Sequence, residues 1–216
     1  ESTDLLAFSE TQIAAIQKWW QDNGKAVLIA VVLAVLCYAG WVWYQKYKLE
    51  QQLEAANLYQ GMMQAFQELT AGGEGAADAH QRVLKAGEEL IGKHGGSVYA
   101  QFAALMLAGD AVEQDDYATA EKHLRTALEH KGSDAVTAVI THRLARVLSA
   151  QGKHDEALAL LAAKAPEKLE AAREDVRGDV LMAQGKRADA RAAWQKAFEG
   201  IPEQDPSRAL LQMKLD

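Results

Sequence analysis

The sequence predicts an all-α protein, a single transmembrane helix followed by a solenoid of paired helices. Three observations lead there. Alanine supplies 41 of the 216 residues against three prolines, and alanine has the highest helix propensity of any residue. One stretch near the N-terminus is apolar without a break. Beyond it, apolar residues recur at intervals of three and four, the period of a helix, in segments that resemble one another at a spacing of 33 to 37 residues. Composition also narrows the function. A single Cys leaves no disulfide framework and no Cys-based zinc site. A net charge of −7 offers no basic face for the phosphates of a nucleic acid.

The apolar stretch runs from Ala26 to Tyr44, 19 residues without a formal charge, between Lys25 and the pair Lys46 and Lys48. As a helix it spans about 28 Å, close to the hydrocarbon thickness of a bilayer. Trp41, Trp43 and Tyr44 at one end, and Trp19 and Trp20 at the other, suit the two membrane interfaces, where one edge of a ring is wet and the other dry. The preceding residues carry Glu1, Asp4, Glu10 and Asp22, unlike the short basic leader of a signal peptide, so the segment reads as an uncleaved anchor. Cys37 follows Leu36, too bulky for a lipoprotein cleavage site, and reads as an ordinary apolar position. Lys18 and Lys25 on one side balance Lys46 and Lys48 on the other, so charge counting does not orient the anchor.

The chain thus divides into a tail at 1–25, the anchor at 26–44 and a helical domain at 45–216. In the tail, Ser9 and Gln12 fit a capping box, and Ile13, Ile16 and Trp20 then recur at helical spacing, which predicts a short amphipathic helix on the membrane surface. Asn23-Gly24 is expected to break or bend the chain before the anchor. After the anchor, Leu49, Leu53, Ala56, Tyr59, Met63 and Phe66 carry the helix onward until Ala71-Gly72-Gly73-Glu74-Gly75 stops it. A second helix is expected over 76–93, ended by His94-Gly95-Gly96.

Three segments then share one pattern. Ala120, Ala157 and Ala190 lie 37 and 33 residues apart, and each is followed four residues later by a large apolar residue, Leu124, Leu161 or Trp194. Gly152 and Gly185 mark turns five residues before the second and third alanine, and Asp115 holds that place in the first. An apolar-periodic helix precedes each turn. Small residues in those helices, Ala108, Ala145 and Gly178, are set to face Ala120, Ala157 and Ala190 so that the axes approach closely, with Leu124, Leu161 and Trp194 filling the gap between successive repeats. The pattern resembles the tetratricopeptide repeat, a helix–turn–helix of about 34 residues. It is degenerate: Lys164 replaces a later Ala in the second repeat. A weaker fourth unit would put Gln67 and Ala79 in the corresponding places.

The stretch before the anchor reads Glu10-Thr11-Gln12, then Ile16-Gln17-Lys18-Trp19-Trp20, then Asn23-Gly24-Lys25, and the helix before the first repeat begins Ser97-Val98-Tyr99-Ala100-Gln101-Phe102-Ala103-Ala104-Leu105. Together these resemble the YfgM-like family of ancillary SecYEG translocon subunits, over essentially the whole chain. The resemblance implies a bacterial inner-membrane protein with a cytoplasmic N-terminus and a periplasmic repeat domain. It implies association with the SecYEG translocon and with a membrane-anchored parvulin-like prolyl isomerase, the PpiD-like chaperone, in assisting secreted proteins as they emerge. Unfolded client polypeptides are a further partner class. The rival reading is a tetratricopeptide adaptor in another cell-envelope or division complex.

No motif carries catalysis. His80, His94, His123, His130, His142 and His154 form no metal pair at i, i+4, and neither H-E-x-x-H, a P-loop nor a nucleophile elbow occurs. Gly72-Gly73-Glu74-Gly75 lacks the strand before it and the Lys-Ser/Thr after it that a phosphate loop needs. No cofactor is implied. An interaction surface is expected instead on the concave face lined by the first helix of each repeat. Repeat spacing places Phe102, Leu105 and Val112 there, then Val139, His142, Arg146 and Ser149, then Asp175, Asp179 and Met182. His142 and Arg146, one turn apart, are suited to holding a carboxylate or a carbonyl. They equally suit a solvated surface, and Phe102 and Leu105 equally suit burial under a neighbouring helix.

Overall fold

The computed structural model describes residues 2–130 and 132–216, with side chains from residue 17 onward. Among the described residues the chain forms nine α-helices and no strand: α1 (Ser2–Ala71), α2 (Ala76–Lys93), α3 (Val98–Glu113), α4 (Tyr117–Leu128), α5 (Asp134–Ala150), α6 (His154–Leu160), α7 (Glu167–Ala183), α8 (Arg187–Gly200) and α9 (Ser207–Leu215). Residues 1–51 and 52–216 are two separate units.

In the first unit the expected break at Asn23-Gly24 is absent, and α1 runs straight through it. An interior glycine costs a helix only about 1 kcal/mol. Here the indole of Trp20 lies over it, 3.3 Å from where a Cβ would stand. Asn23 Nδ2 donates to the carbonyl of Trp19, one turn back, at 3.1 Å, so its amide supports the helix instead of capping it. The helix also begins before Ser9, so Ser9 is not its first residue. The capping-box side chains of Ser9 and Gln12, and those of Ile13 and Ile16, lie outside the described residues. Trp19, Trp20, Trp41, Trp43 and Tyr44 are all exposed on this helix. Tyr38 tilts against Trp41 and Trp43 stacks on Tyr47, with ring centroids 6.2 and 6.0 Å apart.

The second unit is built from helix pairs. α3 with α4, α5 with α6 and α7 with α8 are joined by one kind of turn. At Asp115, Gly152 and Gly185 the backbone is left-handed, with φ of 59°, 77° and 81°. In each turn the following N–H returns to the carbonyl five residues back: Asp116 to Ala111 at 2.8 Å, Lys153 to Leu148 at 2.9 Å, Lys186 to Leu181 at 2.9 Å. This hydrogen-bonded αL ending is the standard way to terminate a helix in a tight reversal. Asp is among the few side chains that tolerate αL, which is why Asp115 can stand where the later repeats use glycine. Ser97, Asp116 and Ser133 open α3, α4 and α5 by accepting the N–H of Ala100, Thr119 and Val136.

Packing follows the small residues. Ala108, Ala120, Ala145 and Ala157 are at most 2% exposed and share one core with Leu124, Leu144, Leu148, Leu161, Val176 and Val180, so the first two repeats and the start of the third bury a continuous apolar surface. In the third repeat the contact differs from expectation. A Cβ on Gly178 would meet Trp194 Cδ1 at 2.3 Å, so the indole lies directly on the glycine within its own repeat. Trp194 is therefore an intra-repeat wedge, in a second core with Leu181, Ala190, Ala197 and the α9 residues Leu211 and Leu215. The fourth unit also exists. The end of α1 packs on α2 and α3 through Ala55, Met62, Ala65, Val83, Leu90, Ala100 and Ala103. Its register is not the expected one: Gln67 is exposed, and the buried small residue nearest to it on α1 is Ala65. The two left-handed glycines, Gly72 and Gly73, make this turn longer than the others and shift the pairing.

Successive repeats are also tied by polar staples from the residues that end α5 and α7. Gln151 Nε2 donates to Glu121 Oε2 at 2.8 Å and to the Tyr117 carbonyl at 3.1 Å, and Gln184 Nε2 donates to Asp155 Oδ1 at 2.7 Å. Glu121 further accepts from Lys153 Nζ and from Arg125 Nε, each at 2.7 Å. Lys153, followed by Arg125 and Gln151, holds the Glu121 carboxyl down to about 2 against the resistance of partial burial.

Two outcomes are expected. Gly178→Ala forces the indole of Trp194 off the glycine and should lower unfolding free energy by about 1–3 kcal/mol, read by urea denaturation, with Trp194→Leu recovering part of the loss. Glu121 has a folded pKa below its unfolded value, so its contribution is complete above about pH 4.5 and lost as pH falls toward about 2. Glu121→Gln should flatten the acid limb of stability in that window while losing stability at pH 7.

Candidate functional site

Two cavities open between the helices at the end of α1 and in α2 to α5, on the face expected to be the inner one. The first, about 660 Å³, lies between the end of α1, α2 and α3. Its apolar lining comes from Phe66, Leu69, Val83, Leu105 and Met106, and its polar lining from His80, Asp110, Glu113 and Arg143. His80 Nε2 and Asp110 Oδ1 are 2.7 Å apart and link α2 to α3. Gln114 Nε2 also donates to Asp110, at 2.7 Å. The second cavity, about 470 Å³, lies between α3, α4 and α5 and is lined by Ala108, Val112, Tyr117, Leu124, Val147, Ala150, Arg143 and Arg146. Gly109 and Arg143 belong to both cavities. Both volumes fall in the range of about 300–1,000 Å³ usual for binding pockets.

The residues expected on this face divide. Leu105 lines the first cavity while its other side packs on the main core, so it serves both roles. Phe102 is partly exposed and tilts against Tyr59 of α1, with ring centroids 6.2 Å apart. Arg146 is exposed at the mouth of the second cavity and reaches Asp175 at 3.3 Å and Asp179 at 3.7 Å. Asp179 is engaged further: Lys214 Nζ of α9 bridges Asp175 at 2.7 Å and Asp179 at 2.5 Å, and Trp194 Nε1 donates to Asp179 at 3.1 Å. Arg146, Asp179 and Lys214 thus form one network at the α9 end of the inner face.

His142 is not with them. It is 6% exposed and lines a separate cleft with Thr141, Leu161, Ala165, Pro166 and Arg173, where α5 meets the α6–α7 connection. Burial, then the guanidiniums of Arg146 and Arg173, push its imidazole below the usual histidine range. His142 and Arg146 therefore line different clefts, although they are one turn apart on α5. Arg143, one residue further along α5, lines both cavities. The repeat spacing placed Arg146 on this face and left Arg143 out, although both line the second cavity. Lys214 was missed because α9 is only nine residues long, although Leu211 and Leu215 at i, i+4 mark its buried side.

What the arrangement offers is apolar volume flanked by charged side chains, carboxylates in the first cavity and guanidiniums in both. Among the described residues no group of three His, Cys, Asp or Glu side chains stands close enough to hold a metal ion. The first unit adds a different surface. Within 17–71, α1 is long and apolar enough to cross a membrane, and the most apolar part of it is unburied.

Comparison with known proteins agrees with this architecture. A family of tetratricopeptide repeat-like domains matches residues 17–216. A protein of Neisseria gonorrhoeae is 30% identical over 198 residues, covering 92% of this chain and 91% of its own length. A protein of Haemophilus influenzae is 28% identical over 87% of each chain, and one of Escherichia coli is 28% identical over 95% of this chain and 94% of its own. All three carry the name ancillary SecYEG translocon subunit. No solved structure matches the chain. The repeat turns, the small-residue pairing and these matches over nearly full length lead to one conclusion: the chain belongs to the tetratricopeptide repeat-like domain family, among its YfgM-like members.

Proposed function

We propose that this chain is a non-enzymatic ancillary subunit of a SecYEG translocon in a bacterial inner membrane. The observation that carries the reading is the set of relatives of that name, matched over 87–95% of this chain. Residues 26–44 anchor it, residues 1–25 stay in the cytoplasm and the domain at 45–216 faces the periplasm. There the inner face of the repeats holds a membrane-anchored PpiD-like prolyl isomerase and assists secreted polypeptides as they emerge. Phe102, Leu105, Arg146 and Asp179 belong to the surface that serves this role, and His142 supports it from beneath. The physical logic is confinement. A membrane anchor keeps scaffold and partner in one plane beside the channel, and the raised effective concentration lets weak individual contacts suffice.

Two measurements test it. Protease added to intact spheroplasts should degrade the repeat domain and spare the tail, and protection of the domain would contradict the topology. Affinity purification of the full chain from membranes in mild detergent, after brief crosslinking, should enrich translocon subunits and the anchored prolyl isomerase by at least tenfold over an unrelated single-span protein. Enrichment of division or envelope-assembly proteins in their place would overturn the reading.

A further inference from the structure

The two cavities of the inner face differ in charge. The first carries the carboxylates of Asp110 and Glu113 together with His80 and the shared Arg143. The second carries no carboxylate, only apolar walls and the guanidiniums of Arg143 and Arg146. Arg146 is shared with Asp175 and Asp179. Arg143 is exposed and, among the described residues, holds no ion pair, whereas Arg125 and Arg173 each hold two carboxylates. In a chain with a net charge of −7, a guanidinium left over an apolar cavity marks a locally cationic spot on an acidic protein. Gly109 makes the room. It sits where the next two repeats carry Arg146 and Asp179, and a Cβ added to it would meet nothing within 4 Å.

We propose that the second cavity docks a polypeptide segment in which an apolar side chain stands next to an Asp or Glu. The apolar side chain enters between Val112, Val147 and Ala150, and Arg143 takes the carboxylate. Charge complementarity selects this occupant. A planar guanidinium pairs with a carboxylate through two parallel hydrogen bonds, while a basic segment would bring like charge against Arg143 and Arg146 over walls that cannot solvate it. Across Gly109 the carboxylates of the first cavity repel an acidic residue, so the groove also fixes which way the segment runs. The proposal rests on the repeat domain being a protein-binding scaffold, and it holds whichever protein supplies the segment.

The test uses the full chain in lipid nanodiscs and three fluorescein-labelled, C-terminally amidated dodecapeptides in a Gly-Ser background, bearing Leu-Asp, Leu-Asn or Leu-Lys at the centre. Fluorescence anisotropy should rank Leu-Asp at least fivefold above Leu-Asn, with Leu-Lys weakest. Arg143→Gln should make the Asp and Asn peptides equal. Gly109→Phe fills the cavity from its open floor and should weaken Leu-Asp binding at least tenfold at an unchanged thermal midpoint. Val112→Glu, at a half-exposed position, supplies an internal carboxylate and should abolish the Asp preference even if Gly109→Phe fails to fold. Equal binding of the three peptides, no binding of any, or Leu-Asp binding unaffected by both Gly109→Phe and Val112→Glu would overturn the proposal. So would concentration-dependent self-association that Gly109→Phe removes, which would make the cavity an interface between copies of the chain. Co-purification of the wild-type chain with translocon subunits tests the earlier reading separately. A chain that co-purifies without peptide preference keeps that reading and loses this one, and the reverse pattern does the opposite.

Discussion

Two helices can approach only as closely as the smallest residues between them allow, and the repeat domain depends on that limit. Ala108 with Ala120 and Ala145 with Ala157 are essentially without solvent exposure, and the turns between the paired helices close through a left-handed residue and a backbone bond spanning five positions. Turn and contact require each other. A wider contact would need a longer loop, and a longer loop would release the register that sets small residue against small residue. Where the turn is longer, at Gly72 and Gly73, the partner of Ala79 does shift. Where the small residue is a glycine, at Gly178, a tryptophan occupies the space.

This constraint explains what could be read from the sequence. Periodicity, glycine turns and the spacing of Ala120, Ala157 and Ala190 are local signals, and they point directly to the three helix pairs and the bounds of α2. The features that escaped are those decided by a neighbour. Asn23-Gly24 looks like a break until Trp20 is seen lying over the glycine. His142 looks like a surface ligand, yet the connection from α6 to α7 buries it. The Gln151 and Gln184 staples involve partners 29 to 34 residues away, a pairing no local pattern announces. On the candidate surface, repeat spacing picked out Leu105, Val112 and Arg146, which line the cavities, and left out Arg143, because a step of one residue turns a helix by about 100°.

Function follows from the same division between scaffold and surface. The repeats spend their apolar residues on one another and leave an inner face whose chemistry changes along its length: carboxylates with His80 near α2, guanidiniums between α3 and α5, then the Asp175–Asp179–Lys214 network closing the end. A graded face of this kind can orient an extended segment without reacting with it. The same chain carries a helix fit to cross a membrane, in keeping with relatives named for the secretion channel.

The claim that anchor and repeats serve one assembly is tested most directly by site-specific photocrosslinking in living cells. A photoreactive amino acid replaces Val35 in the apolar segment in one strain and Val112 on the inner face in another, and the adducts are identified by mass spectrometry. The account predicts adducts of translocon membrane subunits from position 35 and of a membrane-anchored folding factor or an emerging secreted chain from position 112. Adducts at both positions drawn only from proteins unconnected with secretion would contradict it.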